Sequence, residues 1–294
     1  MSTTTIEPAP AAAVIIPHYN DVARLYRCLE ALALNDTAGT EIVVVDNGST
    51  EPLDRVRAAF PGVRFLSEPE AGAAAARNRG VRETTAPRLF FIDADCVPAR
   101  DWLSVARDVA DSADLVGGRV DVFDETPPPR SGAEAFEAVF AFNFRKYIEV
   151  QGFSGAGNLL TRRDVFAAIG GFTNGVSEDR EWTMRAVARG YSLIYEDRLR
   201  VRHPSRQDWP ALRRKWRRMT RESFQLNGRA ARRRLYWGLR ALAMPASAVA
   251  HTPKILLSGK LDSAGEYLRA VVTLVRLRLL RMAWMLRQAL GLPI

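Results

Sequence analysis

Cysteine is nearly absent from this chain. Cys28 and Cys96 are the only two, one in a stretch of helical spacing and one at a strand end, without metal-ligand spacing. A disulfide framework is excluded, and the pair suits a reducing compartment. Positive charge is missing ahead of the short apolar run Ala11 to Ile16, so the opening "MSTTTIEPAPAAAVIIP" fits neither a signal peptide nor an anchor. Residues 1–11 are expected to form a flexible N-terminus, and the protein is expected in the cytoplasm, peripheral on the inner face of the cell membrane. Long charge-free stretches are missing as well. The longest after Arg240, Ala241 to Pro253, is interrupted by Pro245 and falls short of the roughly 18–20 residues of a spanning helix.

Acidic residues are scarce only in the last third. Residues 200–294 hold 21 Arg and Lys against 4 Asp and Glu, a net +17; residues 1–199 hold 21 against 29, a net −8, which together restore the overall +9. Lys is rare throughout, so the charge carries the information rather than the preference for Arg. What is present is otherwise ordinary: 294 residues, 47% hydrophobic and 26% charged, enough for one large domain or a domain with an appendage.

Short runs rich in Val, Ile and Phe recur at Ala12 to Ile16, Ile42 to Val45, Val63 to Leu66 and Leu89 to Ile92. Between them, Val22 to Leu34 and Ala71 to Arg82 have helical spacing. This βαβα order predicts an α/β fold with a mainly parallel sheet covered by helices on both faces, where ligands bind beyond the carboxyl ends of the strands. Three of those ends run into polar loops: "PHYN" (17–20), "DNGST" (46–50) and "DADC" (93–96). Asp93 and Asp95, two apart on an extended segment, share a face and can address one ligand. Two close carboxylates repel unless a cation sits near them, and a divalent ion bridging to a diphosphate resolves that repulsion. Taken alone, D-x-D equally suits a solvated turn or a helix cap, and "DNGS" a turn with positive φ at Asn-Gly.

In this order, "VIIPHYN", "EIVVVDNGST", "AGAAAARNRG", "RLFFIDADCVP", "SGAGNLLTRRDVFAAIGGF" and "SEDREWTMRAVARGY" together resemble the inverting glycosyltransferases of family 2, over roughly residues 12 to 205. The resemblance implies a GT-A fold and a nucleotide-diphospho sugar donor. It places Pro17, Tyr19 and Asn20 around the nucleoside and Asp46 at the base edge, where a carboxylate reads an imide N–H. Arg77 and Asn78 would meet phosphate or base oxygens, although an Ala-rich helix also packs tightly for structural reasons. By the same resemblance Asp93 faces the ribose or sugar, and Asp95 and His203 bind Mn²⁺ or Mg²⁺, which takes up charge on the departing diphosphate. Gly155, Gly157, Asn158 and Trp182 belong to an acceptor and donor loop. Asp179, with Glu178 beside it, is the general base, a role that typically contributes roughly 10²- to 10⁴-fold. The competing reading of "SEDREW" is local: Ser177 caps a helix whose first-turn acids meet the macrodipole.

Beyond residue 205 the resemblance ends, giving expected domains at 12–205 (catalytic) and 206–294 (basic, amphipathic, helical). Arg269, Arg276 and Arg287 are 7 and 11 residues apart and so line one helix face. That helix, with Trp284, suits an anionic membrane surface, or else packing on the core or on a second copy of the chain. The Q-x-x-R-W signature of processive members is missing; "RQDWP" echoes it superficially. Transfer of one sugar to a lipid-linked, glycan or small-molecule acceptor is therefore expected. The alternatives are a nucleotidyltransferase, for which "PHYN" lacks the Gly-rich phosphate loop, and a nucleic-acid binder using the basic tail, whose charge and interleaved aromatics do not by themselves separate RNA from anionic lipid; nucleic acid is not expected as a partner.

Overall fold

The computed structural model describes residues 9–227 and 231–294, so most of the expected flexible N-terminus lies outside the described residues. The chain forms two compact units, Met1–Asp121 with Asn143–His203, and Val122–Phe142 with Pro204–Ile294.

The first unit is built on β1 (Ala12–His18), α1 (Val22–Ala33), β2 (Thr40–Asp46), α2 (Asp54–Ala59), β3 (Arg64–Ser67), α3 (Ala73–Glu83), β4 (Arg88–Ile92), β5 (Val97–Pro98), α4 (Trp102–Val109) and β6 (Leu115–Phe123). The apolar runs became strands because both their faces are covered: Ala12 to Ile16 are all fully buried. Each Ile or Val so buried contributes about 1.5–3 kcal/mol. Helix α1 buries Leu25, Cys28, Leu29 and Leu32, the i, i+3, i+4, i+7 stripe of an amphipathic helix. Helix α3 approaches β1 so closely that a Cβ at Gly80 would stand 2.5 Å from Ile15 Cγ2. Its alanines Ala74, Ala75 and Ala76 are buried in that packing.

After α5 (Gly132–Phe140) of the second unit and α6 (Phe144–Glu149) come β7 (Asn158–Arg162), α7 (Arg163–Ile169), α8 (Glu178–Ala188) and β8 (Leu193–Pro204). The sheet order is β3-β2-β1-β4-β7-β6-β8-β5. The first four strands are parallel. Strand β7 then enters antiparallel to β4, with Asn158 opposite Ile92, and β5 pairs antiparallel with β8, Val97 opposite Arg202. These reversals bring the start of β7 and the end of β8 to the same edge as the carboxyl ends of β1, β2 and β4.

The second unit is helical. Its α5 opens with a capping box between Ser131 and Glu134, and it continues through α9 (Trp209–Asn227), α10 (Ala231–Leu242), α11 (Met244–Leu256) and α12 (Ala264–Ala289). One apolar cluster joins Phe136 and Val139 of α5, Leu212 of α9, Ala248 and Ile255 of α11, and Leu274 and Leu277 of α12. A buried ion group sits beside it: Glu137 accepts from the Lys215 ammonium and, at 2.8 Å, from the Arg206 backbone N–H.

Candidate active site

The carboxyl edge of the sheet gathers most of the polar residues singled out above. At the ends of β1 and β2, His18 and Asp46 are register partners. The His18 ring is buried, its Nε2 accepts from the Asp21 backbone N–H at 3.2 Å, and its Nδ1 lies 3.1 Å from Asp46 Oδ1. That network assigns the ring proton to Nδ1, donated to Asp46. His18 therefore orients the carboxylate expected at the base edge. In the sequence "PHYN" offers His18 only as one polar residue among several; its place opposite Asp46 across two adjacent strand ends is what gives it this part.

Asn20 has a positive φ of 45°. Its Oδ1 accepts from the Thr50 backbone N–H at 2.8 Å and its own N–H donates to Ser49 Oγ at 2.9 Å. The residue thus ties the first loop to the second. Tyr19 beside it is 63% exposed, and Pro17 is half-buried opposite Val45, between the buried Ile16 and His18. Asn47 extends the frame: its amide donates to Glu68 O at 2.9 Å and Glu70 O at 2.7 Å, and its Oδ1 accepts from Gly72 N at 2.6 Å.

Arg77, in the second turn of α3, is buried between two carboxylates, with Nη2 2.5 Å from Asp93 Oδ1 and Nη1 2.9 Å from Glu178 Oε1. Burial opposes its charge, but Asp93 and Glu178 outweigh that and hold the guanidinium firmly protonated. The arginine expected at phosphate oxygens is spent on positioning a carboxylate from each side. Asn78 likewise clamps the backbone of Phe172, donating to its O at 2.8 Å and accepting from its N–H at 2.9 Å.

Asp95 Oδ2 lies 3.1 Å from His203 Nε2. The end of β8 delivers this histidine across the sheet from the loop after β4, so two residues remote in sequence point a carboxylate oxygen and an imidazole nitrogen at one place. That donor pair fits a divalent ion of the Mn²⁺ type. Among the described residues no group of three or more His, Cys, Asp and Glu is placed to hold a metal ion.

Asp179 opens α8. Its Oδ1 accepts from the Arg180 backbone N–H at 2.7 Å and from the Ser177 hydroxyl at 3.4 Å. Ser177 stands at the cap position, yet its hydroxyl makes no capping bond to the helix. Burial, and secondarily the charge of Glu178, raise the Asp179 carboxyl above the usual aspartate range, with Arg77 pulling the other way. Gly155 and Gly157 let their backbone pack close to the two carboxylates: a Cβ at Gly155 would stand 2.8 Å from Phe144 Cζ and 3.3 Å from Asp179 Oδ2, and one at Gly157 2.8 Å from Asp93 Oδ2.

Two residues assigned to the acceptor and donor loop lie in the interior instead. Trp182 is fully buried among Phe91, Phe166 and Phe172, its indole donating to Gly170 O at 2.7 Å. Asn158 is fully buried too; it accepts from Trp102 Nε1 at 2.9 Å and donates to Arg119 O at 3.0 Å and Leu199 O at 2.8 Å. With those bonds made, its amide ties β7 to β6, β8 and α4. Cys28 and Cys96 are buried and unbridged; burial and the nearby Asp95 and Asp93 push both thiols up, away from reactivity.

Comparison with known proteins gives the family and the fold. The model of the family described as "Glycosyl transferase family 2" matches residues 13–170. Glycosyltransferase AglE of Haloferax volcanii is 31% identical over 219 residues, 71% of this chain and 71% of that protein. The pre-mycofactocin glycosyltransferase of Mycobacterium tuberculosis is 29% identical over 212 residues, 67% of this chain but only 44% of that longer protein. Among solved structures, a mannosyltransferase from Pyrobaculum calidifontis in complex with GDP-Man and Mn²⁺ superposes with a TM-score of 0.56 at 18% identity, covering 97% of this chain and 74% of that one. GalNAc-T7 with UDP, GalNAc and Mn²⁺ gives 0.51 at 17% identity, covering 69% and 45%.

Proposed function

The chain belongs to glycosyl transferase family 2 and is a glycosyltransferase, and from that premise we propose that it moves one sugar from a nucleotide-diphospho sugar to an acceptor hydroxyl, with inversion and with a divalent metal. The observation that carries this reading is the meeting, at one sheet edge, of Asp95 with His203 and of Asp93, Arg77 and Glu178 with Asp179 next in the chain. The donor class is supported by the neighbouring folds that hold GDP-Man or UDP with Mn²⁺.

The loop residues Tyr19 and Asp46 take the nucleoside, Asp46 being aimed by His18. Asp95 and His203 hold the metal, Mn²⁺ or Mg²⁺, whose part when bound is to offset charge on the leaving diphosphate. Asp93 addresses the sugar or ribose with Oδ2, beside Gly157, while Arg77 fixes Oδ1. Asp179, with Oδ2 beside Gly155, removes the proton of the attacking hydroxyl. Glu178 does not compete for that proton, because it is paired with Arg77. Its part is to hold the guanidinium, and with it Asp93, in place.

A thermal-unfolding panel of UDP, GDP and dTDP with and without Mn²⁺ tests the reading. A nucleoside diphosphate that binds the folded state stabilises it by about 2.7 kcal/mol at a hundredfold excess over its Kd. We expect at least one nucleotide to raise the midpoint only with metal, and Asp95→Ala to remove that dependence. No shift with any nucleotide under any metal overturns the donor class.

A further inference from the structure

Helix α12 is apolar on two opposite sides. One side is covered inside the second unit and buries Ala270, Leu274, Leu277, Trp284 and Met285. At 100° per residue the opposite side carries Leu268, Val272, Val275, Leu279, Ala283 and Leu290, all exposed, from 40% at Val275 to 76% at Leu290 for the large ones. No charged residue interrupts this stripe, which runs the length of a helix of 26 residues, about 39 Å. Arg269, Arg276 and Arg287 follow one another along its border. Helix α10 carries a second exposed row, Leu235, Leu239 and Leu242.

A helix with apolar stripes on two opposite sides calls for apolar surroundings on both, and the fold supplies only one. We propose that the outer stripe of α12 lies in the interface of an anionic lipid bilayer, with the bordering arginines at the headgroups. Charge selects this occupant. The region from residue 200 onward carries +17, and an arginine row beside an apolar stripe complements acidic headgroups. A second copy packing antiparallel on the stripe, about a two-fold axis perpendicular to α12, would set the same arginine row against itself. No helix among the described residues is long and apolar enough to cross a membrane, so the contact is along the surface. This inference goes beyond the transfer reaction and does not depend on it.

Flotation of the full chain with vesicles tests it. Binding is expected to vesicles of phosphatidylcholine mixed with phosphatidylglycerol, to be weak with phosphatidylcholine alone, and to fall as salt is raised. Val272→Gln with Leu279→Gln should abolish flotation at an unchanged unfolding midpoint, since both side chains are exposed. Arg287→Gln should lower partitioning about fivefold, the effect of one cation near an anionic surface. Val150→Gln, at a still more exposed apolar residue of the first unit, should change nothing. Flotation that survives the double substitution overturns the proposal. So does a concentration-dependent dimer, lost in the same variant, from a protein that binds neither vesicle.

Discussion

The Asp179 carboxyl is raised by its burial and by Glu178 beside it, and both effects are readable in kinetics. A general base acts ionised, so the transfer rate should fall, as pH is lowered, through a value above the ordinary aspartate pKa of about 3.9. Glu178→Gln removes one raising charge and should move that acid limb to lower pH while transfer persists. The stability effect has the opposite sign. A folded-state pKa above the unfolded one means that the proton stabilises the fold, a contribution present below the unfolded pKa and lost as pH rises through the folded one. At neutral pH the ionised Asp179 is thus a net cost, and Asp179→Asn should raise the unfolding midpoint while slowing single-turnover transfer at least about 10²-fold. An active Asp179→Asn beside an inactive Glu178→Gln would move the base one residue back.

Strands and helices carry the site, and their ties set its precision. Asn158 holds β7 to β6, β8 and α4 through three buried hydrogen bonds. Asn158→Ala leaves the Trp102 indole and the carbonyls of Arg119 and Leu199 without partners, at about 1–3 kcal/mol for each group left unsatisfied. A urea midpoint equal to that of the parent would show that the amide is dispensable. In the second unit Lys215 reaches from α9 to Glu137 of α5, and burial pushes its ammonium down against the pull of that carboxylate. Lys215→Ala should cost about 3 kcal/mol, the low end for a broken buried pair, because Arg206 still faces Glu137. Lys215→Met together with Glu137→Leu should recover most of the loss, which chemical unfolding measures. The spans of β1, β2, β4, α1 and α3 were legible beforehand, because a repeat of two or 3.6 residues is written locally. The antiparallel entry of β7 was not, since it depends on a crossover from strands far away in the chain.

At the scale of the whole molecule, the acidic first two-thirds and the basic remainder correspond closely to the two compact units, with residues 122–142 joining the helical one. Units with separate cores need not open together. Leu277→Ala, which removes a fully buried side chain from the cluster of α5, α9, α11 and α12, should cost about 2–5 kcal/mol in the hydrogen exchange of those helices. Amides of β1 and β4 should keep their protection. Equal losses in both sets would mean that the chain unfolds as one cooperative body.

The sequence by itself determined the strand runs, the polar loops at their carboxyl ends, the family resemblance and the arginine row of α12, because each is a matter of order and period along the chain. Only the tertiary structure decided that Arg77 serves two carboxylates, that His18 aims Asp46, that Trp182 and Asn158 lie inside, and that α12 is covered on one side and bare on the other. The reason is physical. Periodicity says that a face is apolar or that a group is polar. What covers the face, and which partners satisfy the group, depends on residues that only folding brings near.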